Sequence, residues 1–144
     1  MSENFSDDVL LDWADFLRDY AENWDDHFKQ YGDDFFTQEF WYLLVGIVEA
    51  YWRKDPMNLA TAKSEIRGLK KADDKTKNTR IKAAEDAGLI KRRSFAELSH
   101  EIRQNMGEGD NRKTYLIPTP RLEKELRAHL SETLSEAMQK LPQK

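Results

Sequence analysis

The chain has no cysteine. That excludes a disulfide framework and any cysteine-ligated zinc site. Its three histidines, His27, His100 and His129, fall in separate elements with no metal-binding spacing. Glycine and proline number only 6 and 4 in 144 residues, and most stand where an element must end. No glycine-rich phosphate loop follows a strand, and no nucleophile sits in a catalytic motif, so no enzyme, cofactor or metal is expected. The longest apolar run, Phe40 to Val48, is far shorter than the roughly 20 residues of a membrane span. The opening residues are acidic rather than basic, so no secretory or transit signal is expected and a cytoplasmic location is.

What is present is charge, unevenly placed. The net charge is −4 with 35% charged residues. Residues 1–40 hold 12 acids against 2 bases, residues 53–93 hold 13 bases against 6 acids, and residues 94–144 are balanced. An acidic protein is a poor non-specific nucleic-acid binder, but a local basic segment can still bind. Local charge should win, because at physiological salt fields decay over about 8 Å.

Residues 5–31 predict a first helix. Val9, Trp13, Phe16, Leu17, Tyr20, Trp24, Phe28 and Tyr31 recur every three or four positions, and Ser6 is the expected N-cap. Acids fill its other face. Asp25, Asp26 and His27 with Asp33 and Asp34 carry no imposed ligand geometry and read as solvated charge. After Gly32, a second helix is expected from Asp34 or Thr37 to about Lys54, apolar nearly all round through Phe36, Phe40, Trp41, Leu44, Ile47, Val48, Tyr51 and Trp52. Such a helix is central to a core. Asp55-Pro56 ends it. Asn58 should cap a short helix buried through Leu59, Ala62, Ile66 and Leu69, with Gly68 in the turn that follows.

The chain is organised around residues 73–117. Asp73 or Asp74 can cap a helix, and Gly88 stands where a closing glycine needs positive φ. Ile81, Ala84 and Gly88 share one face, while Lys75, Thr76, Thr79 and Lys82 lie opposite, flanked by Asn78 and Arg80. Those side chains can bond phosphates and base edges. Leu89 and Ile90 then bury, and Lys91, Arg92 and Arg93 emerge. A long polar loop follows, in which Phe95, Leu98, Ile102 and Met106 have the spacing of a short helix of their own, and then Arg112-Lys113-Thr114-Tyr115-Leu116-Ile117. Past Pro118 and Pro120, Leu122, Leu126, Leu130, Leu134 and Met138 step by four, with Leu141 three further on and Pro142 ending the run, which predicts a long amphipathic helix. His129, between Glu125 and Glu132, reads as part of a surface charge pair.

The run Glu85-Asp86-Ala87-Gly88-Leu89-Ile90, followed by Asp110-x-Arg112-Lys113 and Tyr115 to Pro120, resembles the winged helix-turn-helix of the MarR (multiple antibiotic resistance regulator) family. The likeness spans about residues 36–141 and is strong over 73–93 and 110–120. Two departures stand out. Lys77 and Arg80 are charged where the family is usually apolar, and residues 94–109 exceed its usual wing tip. The resemblance implies a mostly α fold with a small β wing: a DNA-binding core at 55–120, N-terminal acidic and aromatic helices at 1–54, and a C-terminal dimerisation helix at 121–144. It also implies a homodimeric, sequence-specific regulator of transcription that binds double-stranded DNA, with a small aromatic effector as a further partner.

On that reading Lys75, Thr76, Asn78, Thr79 and Arg80 are the base-reading candidates. Lys82, Arg92 and Arg93 contact phosphates, with Lys63, Arg67, Lys70 and Lys71 positioning the first helix of the motif. Arg112 and Lys113 place the wing, and Asp110 orients the arginine. A winged helix used for protein docking through the acidic N-terminal arm, and a plasmid or phage replication or partition factor, remain as alternatives.

Overall fold

A computed structural model describes residues 6–31, 38–67, 69–107, 109 and 111–140. Six helices and a small antiparallel pair of strands make it mostly α. None of the described helices is long and apolar enough to cross a membrane. The expected roles of Gly32, Asp33, Asp34, Phe36, Thr37, Gly68, Asp110, Leu141 and Pro142 lie outside the described residues.

Helix α1 runs Asp7–Phe28 and passes into one 3-10 turn at Lys29–Tyr31. The Ser6 hydroxyl accepts from the Val9 N–H at 3.3 Å, and Asp7 and Asp8 suit the positive end of the helix dipole. Helix α2, Gln38–Trp52, buries Phe40, Leu43, Leu44, Ile47 and Val48. Its C-terminus is closed from outside. The Asn105 amide donates to the Arg53 and Lys54 carbonyls at 3.4 and 2.9 Å.

Helix α3, Leu59–Glu65, starts where the Asn58 carboxamide accepts from the Thr61 N–H at 2.9 Å. Helix α4, Asp74–Asp86, starts in the same way, with Asp73 accepting from Thr76 N–H at 2.7 Å. It stops at Gly88, whose φ of +75° is the left-handed turn a side chain would resist. Ile81 and Ala84 are its buried face.

Strand β1, Ile90–Arg93, pairs antiparallel with β2, Tyr115–Pro118, with Ile90 opposite Pro118 and Arg93 opposite Tyr115. The other edge of β2 is also taken. Leu116 N–H donates to the Met57 carbonyl at 2.9 Å, and Leu59 N–H to the Thr114 carbonyl at 2.7 Å. So β2 lies between the entrance of α3 and β1, and all four of its residues are buried. Between the strands, a 3-10 turn at Phe95–Glu97 leads to α5, His100–Met106. Leu98 and Ile102 bury against Tyr115 and Ile117, with Tyr51, Phe95 and Met106 packed around them. The expected helix in the long loop is therefore present, and it braces β2.

Helix α6, Pro120–Lys140, begins with proline at the first helical position, where a missing N–H costs nothing. It packs antiparallel to α1, with Asn23 beside His129 and Gln30 beside Glu125. One main core joins Trp24 and Phe28 of α1 to α2, α3, α4, β2 and Leu122 and Leu126 of α6. The aromatic face of α1 therefore divides. Its C-terminal half is intrachain core, while Leu10, Leu11, Trp13 and Leu17 are between 43% and 63% exposed. The α6 stripe divides in the same way, with Leu130, Leu134 and Met138 exposed.

His129 is not a surface residue, contrary to the sequence expectation. It is fully buried, its Nδ1 is 2.6 Å from Asn23 Oδ1, and it packs beside Tyr20, Trp24 and His27. It follows Leu126 by three and Leu122 by seven, so the buried stripe of α6 is wider than the row of leucines alone. Burial, reinforced by His27, lowers its pKa from 6.5 to about 4. His27 meets the two glutamates instead, at 2.9 Å from Glu125 and 3.4 Å from Glu132. Burial likewise pushes the Tyr20 phenol up to about 12.

Candidate nucleic-acid interface

The expected DNA-reading residues sort by the phase of α4. With Ile81 and Ala84 inward, Lys75, Asn78, Thr79 and Lys82 are exposed. Thr76 and Arg80 are half-buried. With Lys75, Thr79 and Ala83 they line a cleft of about 580 Å³ whose far wall is Glu39 and Phe40 of α2. Lys77, one turn before Ile81, is also half-buried. Both charged departures from the resembled family are thus partly covered rather than fully exposed.

Local hydrogen bonds preset several groups. The Thr79 hydroxyl donates to the Lys75 carbonyl at 2.8 Å. The Thr76 amide holds the Asp73 carboxyl below the usual carboxylate range, which keeps the cap charged. Two acids that sequence reasoning left unassigned matter here. Glu85 accepts from Arg92 Nε and Nη2 at 2.9 and 2.8 Å, and Asp86 lies 3.3 Å from Lys82 Nζ. The first pair is partly shielded, with Glu85 only 26% exposed. Two guanidinium N–H groups on one partly shielded carboxylate oxygen make it the stronger of the two. The second is open to water, where such pairs contribute at most about 1 kcal/mol. Lys82 can therefore exchange its carboxylate for a phosphate at little cost, whereas Arg92 is held against α4. Acids at i+4, and seven residues before an arginine, were the available signal.

Arg93 Nη1 donates to the Arg92 carbonyl at 2.7 Å. Arg112 and Lys113 are exposed just before β2. Lys113 shares a cleft of about 470 Å³ with Lys63 and the start of α3, so the fold joins two basic residues 50 positions apart in sequence. The Ala96 N–H donates to Asn111 Oδ1 at 2.9 Å, which ties the β2 side of the loop to the β1 side. Arg67 lies 5.5 Å over the Tyr42 ring, while Lys70 and Lys71 are exposed in the turn before α4. The candidate surface is thus α4, the preceding turn, the start of α3 and the approach to β2. Asp110 lies outside the described residues.

Compared with protein-family models, curated proteins and solved structures, the chain finds no match.

Proposed function

We propose that the chain is a MarR-like winged helix-turn-helix protein that binds duplex DNA as a homodimer and regulates transcription. One observation carries the reading. Two short helices, α3 and α4, are followed by β1, which after the 3-10 turn and α5 pairs antiparallel with β2, and the exposed side of α4 presents Lys75, Asn78, Thr79 and Lys82. A helix pair of this kind places its second helix in the major groove, with the first crossing the backbone. On this reading β1, β2 and the loop between them are the wing, which places Arg112 and Lys113 on the backbone. The protein would be a two-fold dimer formed through the exposed apolar ridge of α1 and α6, reading two half-sites about one helical turn apart.

A cleft of about 440 Å³ between α1 and α2, lined by Tyr20, Trp24, Trp41 and Tyr42 among others, suits a small aromatic effector. The Tyr20 hydroxyl and Trp41 indole N–H of that wall are buried, and the two rings lie 6.3 Å apart. Buried donors favour any polar group that reaches them.

The test is duplex binding across a salt series. A salt-sensitive complex with a subset of genomic fragments, resistant to competitor, is the expected result. Absence of binding at low salt defeats the proposal. It would favour protein docking instead, a reading supported by exposed Leu10, Leu11, Trp13 and Leu17 on an acidic helix.

A further inference from the structure

Within the DNA-binding reading, on which this inference rests, α4 carries enough detail to name the bases. Lys75, Asn78, Thr79 and Lys82 follow at steps of three, one and three, so they form one contiguous exposed strip. At about 1.5 Å per residue the strip is about 10 Å long, which matches about three base-pair steps. Its ends are long cations and its centre is two short side chains. Only a short side chain lets a helix axis come close to the base edges, and long lysines at the ends reach outward to phosphates.

The two central residues have different chemistry. The Thr79 hydroxyl gives its proton to the Lys75 carbonyl. With its hydrogen committed, the exposed Thr79 side chain offers a partner its γ-methyl and an oxygen that can only accept. In the major groove the apolar feature such a methyl can meet is the 5-methyl of thymine. Asn78 is exposed, and no hydrogen bond among the described residues engages its carboxamide. A carboxamide offers one donor and one acceptor in a plane, which pairs with adenine N7 and N6. Of the α4 groups near its centre that would read guanine or cytosine, Arg80 is half-buried and lines the cleft against α2, and Glu85 is bonded to Arg92; Lys75 and Lys82 stand at the ends of the strip, where phosphates lie.

We propose that Asn78 and Thr79 are specificity-determining residues, and that each half-site has adjacent A·T pairs at its centre. Asn78 reads the adenine N7/N6 edge, Thr79 covers a thymine methyl, and Lys75 and Lys82 hold the flanking phosphates.

The experiment is selection from a random duplex pool with the full chain, followed by affinity measurements on the selected duplex and on versions with single modified bases. Replacing the contacted thymine by deoxyuridine removes one methyl and should weaken wild-type binding about fourfold. That loss should vanish in Thr79→Ser, which keeps the hydroxyl. Replacing the contacted adenine by 7-deazaadenine should weaken wild-type binding about tenfold, and Asn78→Ala should be insensitive to it. A selected site without adjacent A·T pairs, or base-analogue losses that persist in both variants, overturns the assignment while leaving DNA binding intact. Failure to enrich any duplex overturns the DNA-binding reading and this inference together.

Discussion

Acid should loosen the α1–α6 contact through one imidazole. His129 is fully buried, and its pKa falls from 6.5 to about 4 because burial, and then His27, oppose its charge. The folded state therefore favours the neutral ring. Its contribution is complete above about 6.5 and is lost as pH falls through about 4. At about 1.4 kcal/mol per pH unit, this one group accounts for roughly 3 kcal/mol of stability. The perturbation is His129→Gln, which keeps a hydrogen-bonding partner for Asn23 and cannot titrate. Urea unfolding between pH 7.5 and pH 4 is the assay, with NMR titration of the imidazole in the wild-type chain. Wild type should lose about 3 kcal/mol more than the variant across that window. Carboxylates away from the α1–α6 contact contribute alike to both. An imidazole that titrates near 6.5, or parallel pH profiles for the two proteins, would refute the reasoning.

Three other outcomes are expected. Lys75→Ala/Lys82→Ala, at two exposed positions, should abolish duplex binding with little change in Tm, and unchanged affinity would remove α4 from the interface. Trp13→Glu or Leu134→Glu, at positions 43% and 61% exposed, should convert a dimer to a monomer by light scattering. A monomeric wild type at micromolar concentration would defeat the dimer instead. Gly88→Ala, at a φ of +75°, should destabilise by about 1 kcal/mol through backbone strain alone, because the added methyl meets the nearest atom of Arg121 only at an ordinary 3.8 Å. An unchanged Tm would show that the turn has relaxed.

Much of this architecture can be read from local chemistry. Ser6, Asn58 and Asp73 cap helices because each is a short acceptor just ahead of a helical run. Gly88 stops α4 because positive φ is cheap at a glycine. Ile102 and Met106 share a face of α5, whereas Leu98, expected on the same helix, reaches that cluster from the extended residue ahead of the Ser99 cap. What is not legible depends on a second segment. The burial of His129 comes from Asn23, Tyr20 and Trp24, about a hundred residues earlier. The pairing of Met57–Leu59 with β2 is a single bridge, too short to give a period, and Asn58 there reads as a cap only. In the candidate site, periodicity placed Lys75, Thr79 and Lys82 outward, but Thr76, expected on the same face, is half-buried against α2. The pairing of Arg92 with Glu85 depends on how β1 leaves the glycine turn, a path that residue type does not encode.

Thr119 has a mechanical consequence. Its hydroxyl donates to the Gly88 carbonyl at 2.6 Å and its N–H to the Leu89 carbonyl at 2.9 Å, while the same hydroxyl accepts from Leu122 N–H at 3.3 Å. One residue is thus both the first anchor of α6 and the seam that holds the exit of α4. No slack loop separates the two helices at that joint. A twist of α6 about its axis drags the Gly88 carbonyl with it instead of dissipating in a linker. The exposed far end of α6 and the basic strip of α4 behave as the handle and the blade of one rigid tool.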